Sequence, residues 1–431
     1  MKYFGTDGIR GIAFKKLNSN LAYRVGQAIG FHVKPNRIVI GCDTRESSNL
    51  LSYSVALGLI NSGVNIIFLG IVSTPIVSKY SKDNNIPGIM ITASHNPYYD
   101  NGIKLFINGY KSCEEVELKI EDFVDHGTLY YEEKLGSFTL EDNPFCDYLK
   151  LYNQFDLSNT MLRIGYDSAN GANYKISNIV FHKFFLEAFQ INNAPNGKNI
   201  NENCGSTHTN AITDFVRANS LDIGFSFDGD GDRLLVVDGS GKLYDGDVLI
   251  YIIAKYLKQQ NKLTNNTVVL TKMSNPSIIK ALNNININVS LVDVGDKNVF
   301  AELERGDFIL GGENSGHIIM KDLLHTGDGL LVAIRLLQIL KDANQSLAQL
   351  TSELELYPQK TVNIKGIDKS VLNKESVKLA LEEAKTKLGD NSLLLVRPSG
   401  TEPLIRVTVS HESEKLMNDV ITFLVDAIKN N

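Results

Sequence analysis

Three aspartates within five residues, Asp228-Gly229-Asp230-Gly231-Asp232, are the sharpest chemical signal in the chain. Carboxylates this close repel one another unless they share a cation. The intervening glycines let the backbone fold tightly, so alternate side chains converge. Hard oxygen ligands in a small loop suit Mg²⁺ and leave room for a phosphate or water. The cluster follows an apolar run, Ile223–Phe227, and α/β proteins build sites at strand ends. The blander reading is a solvated acidic turn. An EF-hand is excluded, because Arg233 stands at the sixth loop position and Gly239 at the twelfth, where glycine and glutamate are needed.

A second segment, Thr92-Ala93-Ser94-His95-Asn96-Pro97, also follows a strand-like run, Ile89–Ile91. A serine beside a histidine, held by an Asx-Pro turn, is a nucleophile or phosphate carrier in waiting. An ordinary turn with local hydrogen bonds explains it equally well. It is not the G-x-S-x-G elbow, so an α/β-hydrolase is disfavoured. Lys104, ten residues on, has the chemistry of an acid, a base or a phosphate ligand, though alone it reads as a surface lysine.

Two more polar runs sit between glycines or prolines. Gly311-Gly312-Glu313-Asn314-Ser315-Gly316-His317 has the acceptors to read sugar hydroxyls, at Glu313 and Ser315. A Gly-rich turn is the commoner meaning of such a run. Arg397-Pro398-Ser399-Gly400-Thr401-Glu402-Pro403 offers guanidinium, hydroxyl and backbone donors in one arc, the recipe for a phosphate cradle. Arg406 alternates with Ile405, Val407 and Val409 and so faces the polar side with that loop. The start, Phe4-Gly5-Thr6-Asp7-Gly8-Ile9-Arg10-Gly11, is Gly-rich with one arginine. Neither a Walker motif nor G-x-G-x-x-G occurs, which leaves nucleotide-binding readings unsupported.

The elements that must position these residues alternate. Arg37–Cys42, Asn65–Leu69 and Ile89–Thr92 read as strands, with helices over 47–61 and 76–83 between them. The pattern restarts with Leu162–Tyr166, a helix over Tyr174–Phe189, strands Ile223–Phe227 and Leu234–Val237, and a helix over 247–258. A third cycle runs from Val268 to Leu340. Such alternation implies mixed sheets covered by helices. The tail differs: a strand at Thr361–Ile364, a long helix over Ser370–Leu388, strands Leu393–Val396 and Ile405–Val409, and a closing helix over Met417–Ile428. The Asn- and Gly-rich stretch Ile191–Gly205 reads as a loop. The expected architecture is α/β: three related mixed α/β domains (1–150, 151–250, 251–355) plus a smaller C-terminal α+β domain (360–431).

The chain has 431 residues, and at one domain per ~150 residues that is about three domains. With 43% hydrophobic and 21% charged residues it is no disordered chain. A net charge of -6 disfavours nucleic-acid and membrane-surface partners, but not a small anion in a local basic pocket. The four cysteines are scattered, which argues for a reducing compartment. The start lacks a signal-peptide core and no stretch has ~18 uninterrupted apolar residues, so the cytoplasm is the expected location.

In this order, these segments closely resemble the α-D-phosphohexomutase superfamily, across essentially the whole chain. The opening Tyr3–Gly11, the run from Ser94 to Lys104, and Glu313-Asn314-Ser315-Gly316-His317 resemble its glucosamine-phosphate branch. The mannose/glucose branch usually carries Met where Asn314 stands. One position departs: Gly295-Asp296-Lys297 replaces the usual Gly-Asp-Arg, keeping the charge and losing the guanidinium fork.

The resemblance implies four domains around a central cleft and phosphorylation of Ser94. Ser94, Asp228, Asp230 and Asp232 would hold Mg²⁺. Glu313 and Ser315 would read the sugar, and Arg397, Ser399, Gly400, Thr401 and Arg406 would bind the distal phosphate. Arg10, Lys104 and His317 would support proton transfer and phosphoryl charge. The implied reaction interconverts glucosamine 6-phosphate and glucosamine 1-phosphate through a glucosamine 1,6-bisphosphate intermediate, which also serves as activator. Its product would feed UDP-N-acetylglucosamine and cell-wall synthesis. The partner is a small-molecule phosphosugar, and the chain is expected to be a monomer or homodimer. The rivals are phosphomannomutase or phosphoglucomutase chemistry, a phosphohydrolase using Asp228, and a non-catalytic sugar-phosphate-binding protein.

Overall fold

Helix Ser19–His32 begins where the Asn18 side chain accepts the amide of Leu21 at 2.9 Å, filling one of the donors a helix start leaves open. It crosses helix Ser48–Asn61 at backbone contact. A Cβ on Gly26 would lie 2.2 Å from the Val55 carbonyl, and one on Gly58 would lie 2.1 Å from that of Tyr23. Two glycines thus set the helix spacing on one face of the first sheet. The computed structural model describes residues 2–5, 7–398 and 404–430.

The chain forms two compact units, one of residues 1–246 with 315–347, the other of 247–314 with 348–431. Among the described residues, the first unit holds two sheets. One is eight-stranded and mixed: seven strands follow the path Phe4–Gly5, Gly8–Ile12, Asp100–Ile107, Gly88–Ile91, Arg37–Cys42, Asn65–Ile71, Phe138–Leu140, and Tyr110–Lys111 pairs with Asp100–Ile107 off that path. Its central strands are apolar on both faces because helices cover both. The other sheet runs Ala188–Ile191, Ile164–Asp167, Ile223–Phe227, Leu234–Asp238, Leu243–Tyr244. Its first three strands are parallel and the rest antiparallel.

In the second unit, Asn288–Val292, Thr267–Thr271 and Leu310–Gly312 pair in parallel. The tail is an antiparallel sheet, Gln359–Lys365, Leu404–Ser410, Leu393–Pro398, packed on helices Glu375–Leu388 and Glu414–Lys429. No helix among the described residues is long and apolar enough to cross a membrane.

Three expectations are corrected. The helix expected over Tyr174–Phe189 ends at Phe184, and the chain turns into strand Ala188–Ile191. Phe185 takes extended angles there and is buried. An apolar, aromatic run does not separate strand from helix by periodicity alone. The tail helix begins at Glu375, because Asp368 caps a short 3₁₀ turn, Lys369–Asn373, and Lys374 is extended. Asp100–Ile107 is an eight-residue strand, which puts Lys104 inside a sheet at 2% exposure, not on the surface.

Candidate active site

Strand Ile223–Phe227 delivers the acidic loop, and three other segments fix its backbone. The Gly229 carbonyl accepts from the Ala172 amide at 2.7 Å, that of Asp230 from Thr74 at 2.9 Å, and that of Gly231 from Gly329 at 3.1 Å. Gly231 sits at φ +76°, the left-handed region that favours glycine. Asp228 Oδ1 accepts the amides of Gly231 and Arg233 at 3.1 and 3.2 Å. So braced, one oxygen from each of Asp228, Asp230 and Asp232 lies within 4.8 Å of the others, and all three residues are buried.

Two observations fit a cation at this loop. Among the described residues, Asp230 Oδ1 and Asp232 Oδ1 are buried with no hydrogen-bond partner. Burial and the neighbouring Asp232 and Asp230 also push the Asp228 carboxyl well above its ordinary range. An all-oxygen, like-charged donor set fits a hard divalent ion.

Ser94 meets this loop directly. It follows strand Gly88–Ile91, is 1% exposed, and its hydroxyl donates to Asp228 Oδ2 at 2.7 Å. His95 Nδ1 lies 3.3 Å from Ser94 Oγ. Burial, with Arg233 and Arg10 nearby, pulls the His95 imidazole down to about 3, so it is neutral at physiological pH. The Ser94 backbone is left-handed at φ +53°, a conformation costing a non-glycine residue roughly 1–2 kcal/mol. Such strain persists only where surrounding contacts impose it.

Lys104 is the central cation. Its Nζ lies 2.8 Å from Asp230, 3.1 Å from Asp7 and 3.6 Å from Asp232. Burial lowers its pKa, but the three carboxylates more than offset this and hold the ammonium protonated. Asp230 answers in kind: burial raises its carboxyl, yet Lys104 and the Thr74 hydroxyl at 2.6 Å bring it below the ordinary range. Asp228 and Asp230, two residues apart, are thus driven in opposite directions. Arg10 joins the group through Asp7, which pairs with both Arg10 and Lys111. His317 is buried and bridges to Arg233, directly after the acidic triad. Ser315 is half-buried, and its hydroxyl has no partner among the described residues.

The first unit therefore brings together Ser94, Arg10, Lys104 and the three aspartates. Glu313, Arg397 and Arg406 belong to the second unit. Glu313 Oε1 accepts the Gly295 amide at 2.9 Å, which ties it to the loop carrying Lys297. Arg397 and Arg406 are cross-strand partners. Burial and the Arg406 charge lower the Arg397 pKa, against an opposing pull from Glu313. Like charges directly opposite on a sheet are unfavourable unless an anion joins them. Ser399, Gly400 and Thr401 lie outside the described residues.

Sequence reasoning missed Asp7, Thr74, Arg45 and Asn201. Asp7 was visible in the opening run, but only pairing of Gly8–Ile12 with Asp100–Ile107 brings its segment beside Lys104. Thr74, Arg45 and Asn201 act from segments that lie outside every motif in the sequence, and no local pattern marks them.

Four regions match, in order, the four domains of the phosphoglucomutase/phosphomannomutase family. Alpha/beta/alpha domains I, II and III match residues 1–131, 143–241 and 245–357, and the C-terminal domain matches 357–427. The phosphoglucosamine mutase of Bacillus cytotoxicus is 39% identical over 442 residues, covering 99% of this chain and 98% of that protein. That of Bacillus licheniformis is 39% identical over 440 residues, with the same coverage. Among solved structures, a phosphoglucomutase/phosphomannomutase family protein from Burkholderia thailandensis superposes with a TM-score of 0.83 at 22% identity, covering 99% of this chain and 97% of that one. Aspergillus fumigatus N-acetylphosphoglucosamine mutase, in complex with GlcNAc-6P and magnesium, gives a TM-score of 0.68 at 15% identity, covering 99% and 95%. At these identities the two structures speak to the fold.

Proposed function

The chain belongs to the phosphoglucomutase/phosphomannomutase family, and on that premise we propose that it interconverts glucosamine 6-phosphate and glucosamine 1-phosphate. Family membership makes it an isomerase that moves a phosphoryl group. The choice of amino sugar rests on the full-length relatives named phosphoglucosamine mutase. The observation that carries the chemistry is the 2.7 Å bond from Ser94 Oγ to Asp228, within a group of three buried carboxylates.

In this reading phosphorylated Ser94 is the resting donor. Its phosphoryl group passes to the free hydroxyl oxygen of the bound sugar phosphate: the P–Oγ bond breaks, a P–O bond to the sugar forms, and the proton of the sugar hydroxyl ends on Ser94 Oγ, to return to the sugar oxygen in the second transfer. The 1,6-bisphosphate turns over, and Ser94 Oγ takes the phosphoryl group from the other end. Mg²⁺ held by Asp228, Asp230, Asp232 and the phosphoserine would neutralise charge on the transferring group. Lys104, kept protonated by its carboxylates, and Arg10 beside Asp7 add fixed positive charge, so little reorganises as charge moves.

Glu313 and Ser315 would accept sugar hydroxyls, and Lys297 would add a point charge where the family usually has a fork. Arg397 and Arg406, with Ser399, Gly400 and Thr401, would bind the distal phosphate. An anion between Arg397 and Arg406 would relieve the repulsion of that cross-strand pair. The cradle must take either phosphate in turn, which a flat pair of guanidinium groups permits.

Comparison of kcat/KM for glucosamine, glucose and mannose 6-phosphates, with Mg²⁺ and a trace of bisphosphate, tests the assignment. A preference for glucosamine 6-phosphate of tenfold or more supports it. An equal or higher value for mannose or glucose moves the protein to the other branch.

A further inference from the structure

We propose that Arg45 and Asn201 are positioning residues that clamp the Ser94 loop in the geometry needed for phosphoryl transfer. The proposal rests on the mutase reading above. Arg45 Nη2 donates to the carbonyls of Ser94 and Asn96, both at 2.9 Å. Asn201 Nδ2 donates to the same two carbonyls, at 2.9 and 3.1 Å. Two side chains more than 150 residues apart thus grip one pair of oxygens.

Arg45 reaches further along the turn, with Nη1 donating to Pro97 and, at 3.1 Å, to the Asp100 carbonyl. Its side chain is fully buried, and its charge is met by Asp43 at 2.8 Å. Asp43 also accepts the Thr92 hydroxyl at 2.7 Å, and Thr92 Oγ1 in turn accepts the Ser94 amide at 2.9 Å. The network closes on itself: the Ser94 amide is held through Thr92 and Asp43, and its carbonyl through Arg45 and Asn201.

The clamp explains how a serine stays at φ +53° with its hydroxyl aimed at Asp228. It also couples the serine loop to the acidic loop. A Cβ on Gly229 would lie 2.6 Å from the Ser94 carbonyl oxygen and 2.8 Å from Asn201 Nδ2. Since Arg45 is spent on carbonyls and Asp43, its role is to fix the donor's place and not to touch the sugar. In-line transfer is sensitive to such placement, where a 1 Å error costs about 100-fold.

The test compares Asn201→Ala and Arg45→Lys with wild type. In Asn201→Ala both carbonyls keep Arg45, so the protein still folds. Arg45→Lys keeps the charge and loses the fork. The readouts are steady-state kcat and KM, and single-turnover transfer from the Ser94-phosphorylated enzyme to glucosamine 6-phosphate. We expect the transfer rate and kcat to fall about tenfold or more in Asn201→Ala and about 100-fold in Arg45→Lys, with KM within twofold of wild type. Transfer rates within twofold of wild type in folded Asn201→Ala overturn the clamp, whatever Arg45→Lys does. A rise in KM with unchanged transfer also overturns it. A wild-type protein that neither turns over nor accepts phosphate at Ser94 overturns the mutase reading, and the clamp's role with it.

Discussion

The Ser94 hydroxyl donates to Asp228 Oδ2 at 2.7 Å across 134 residues of sequence. The residue proposed to carry phosphate therefore sits against the residues proposed to hold the cation. A phosphoryl group on Ser94 Oγ would bring about two further negative charges to a buried acidic loop, and this contact sets what substitutions should do.

Ser94→Ala removes the only oxygen that can carry the phosphoryl group in this scheme. Turnover should drop to background. The loss of one hydrogen bond changes stability by about 1 kcal/mol. Activity assays paired with urea denaturation check both halves. Wild-type turnover in the variant contradicts the scheme.

Lys104→Met should leave Asp7, Asp230 and Asp232 without their shared ammonium. Breaking a buried ionic group by removing one partner costs about 3–5 kcal/mol. Part of that should return with a divalent cation, which offsets the same carboxylates. Chemical denaturation in Mg²⁺ and in EDTA is the measurement, and the gap between the two should be wider for the variant than for wild type.

Gly229→Ala should disturb two loops at once, because the new methyl meets the Ser94 carbonyl, the Asn201 amide and Ile200 at 2.6–2.8 Å. Overpacking of this kind costs about 1–3 kcal/mol. The expected signature is a lower urea midpoint together with a lower kcat.

Asp328 gives a pH prediction. It caps helix Gly329–Ala343 through the Leu331 amide and accepts from Tyr148, whose hydroxyl in turn accepts from Tyr152. Burial raises its carboxyl from an ordinary 3.8 to about 6, with Asp232 adding to the rise and Tyr148 and the helix amides opposing it. A raised acid stabilises the fold below its unfolded pKa and loses that contribution as pH climbs through the folded value. The loss amounts to roughly 1.4 kcal/mol per pH unit between about 4 and 6. His325, lowered to about 4 chiefly by burial, slopes the other way over the same window. The difference between Asp328→Asn and wild type isolates Asp328. The variant should gain stability relative to wild type from pH 4 to 6 and level off above. A flat difference contradicts the assignment.

The chemistry of the site was largely legible in the sequence, because loops at strand ends carry it in short runs: Asp228–Asp232, Ser94–Pro97, Glu313–His317. What the runs did not reveal was their bracing. Lys104 reads as a surface lysine because strand Asp100–Ile107 opens with Asp100-Asn101-Gly102, residues that signal a turn. Arg45 and Asn201 carry no signal in the sequence, because the groups they grip are backbone carbonyls, which leave no trace in side-chain pattern. The helix expected over Tyr174–Phe189 failed at Phe185 for the opposite reason: an apolar run carries too much pattern to choose one structure.

Phosphorylation at Ser94 tests the central claim most directly. The protein is incubated with glucosamine 1,6-bisphosphate and Mg²⁺, digested, and mapped by mass spectrometry, and the phosphorylated form is then chased with glucosamine 6-phosphate. The account predicts one phosphate on Ser94 that leaves to the sugar during the chase. Phosphate on Asp228, or an unmodified Ser94 in a protein that still turns over, contradicts it.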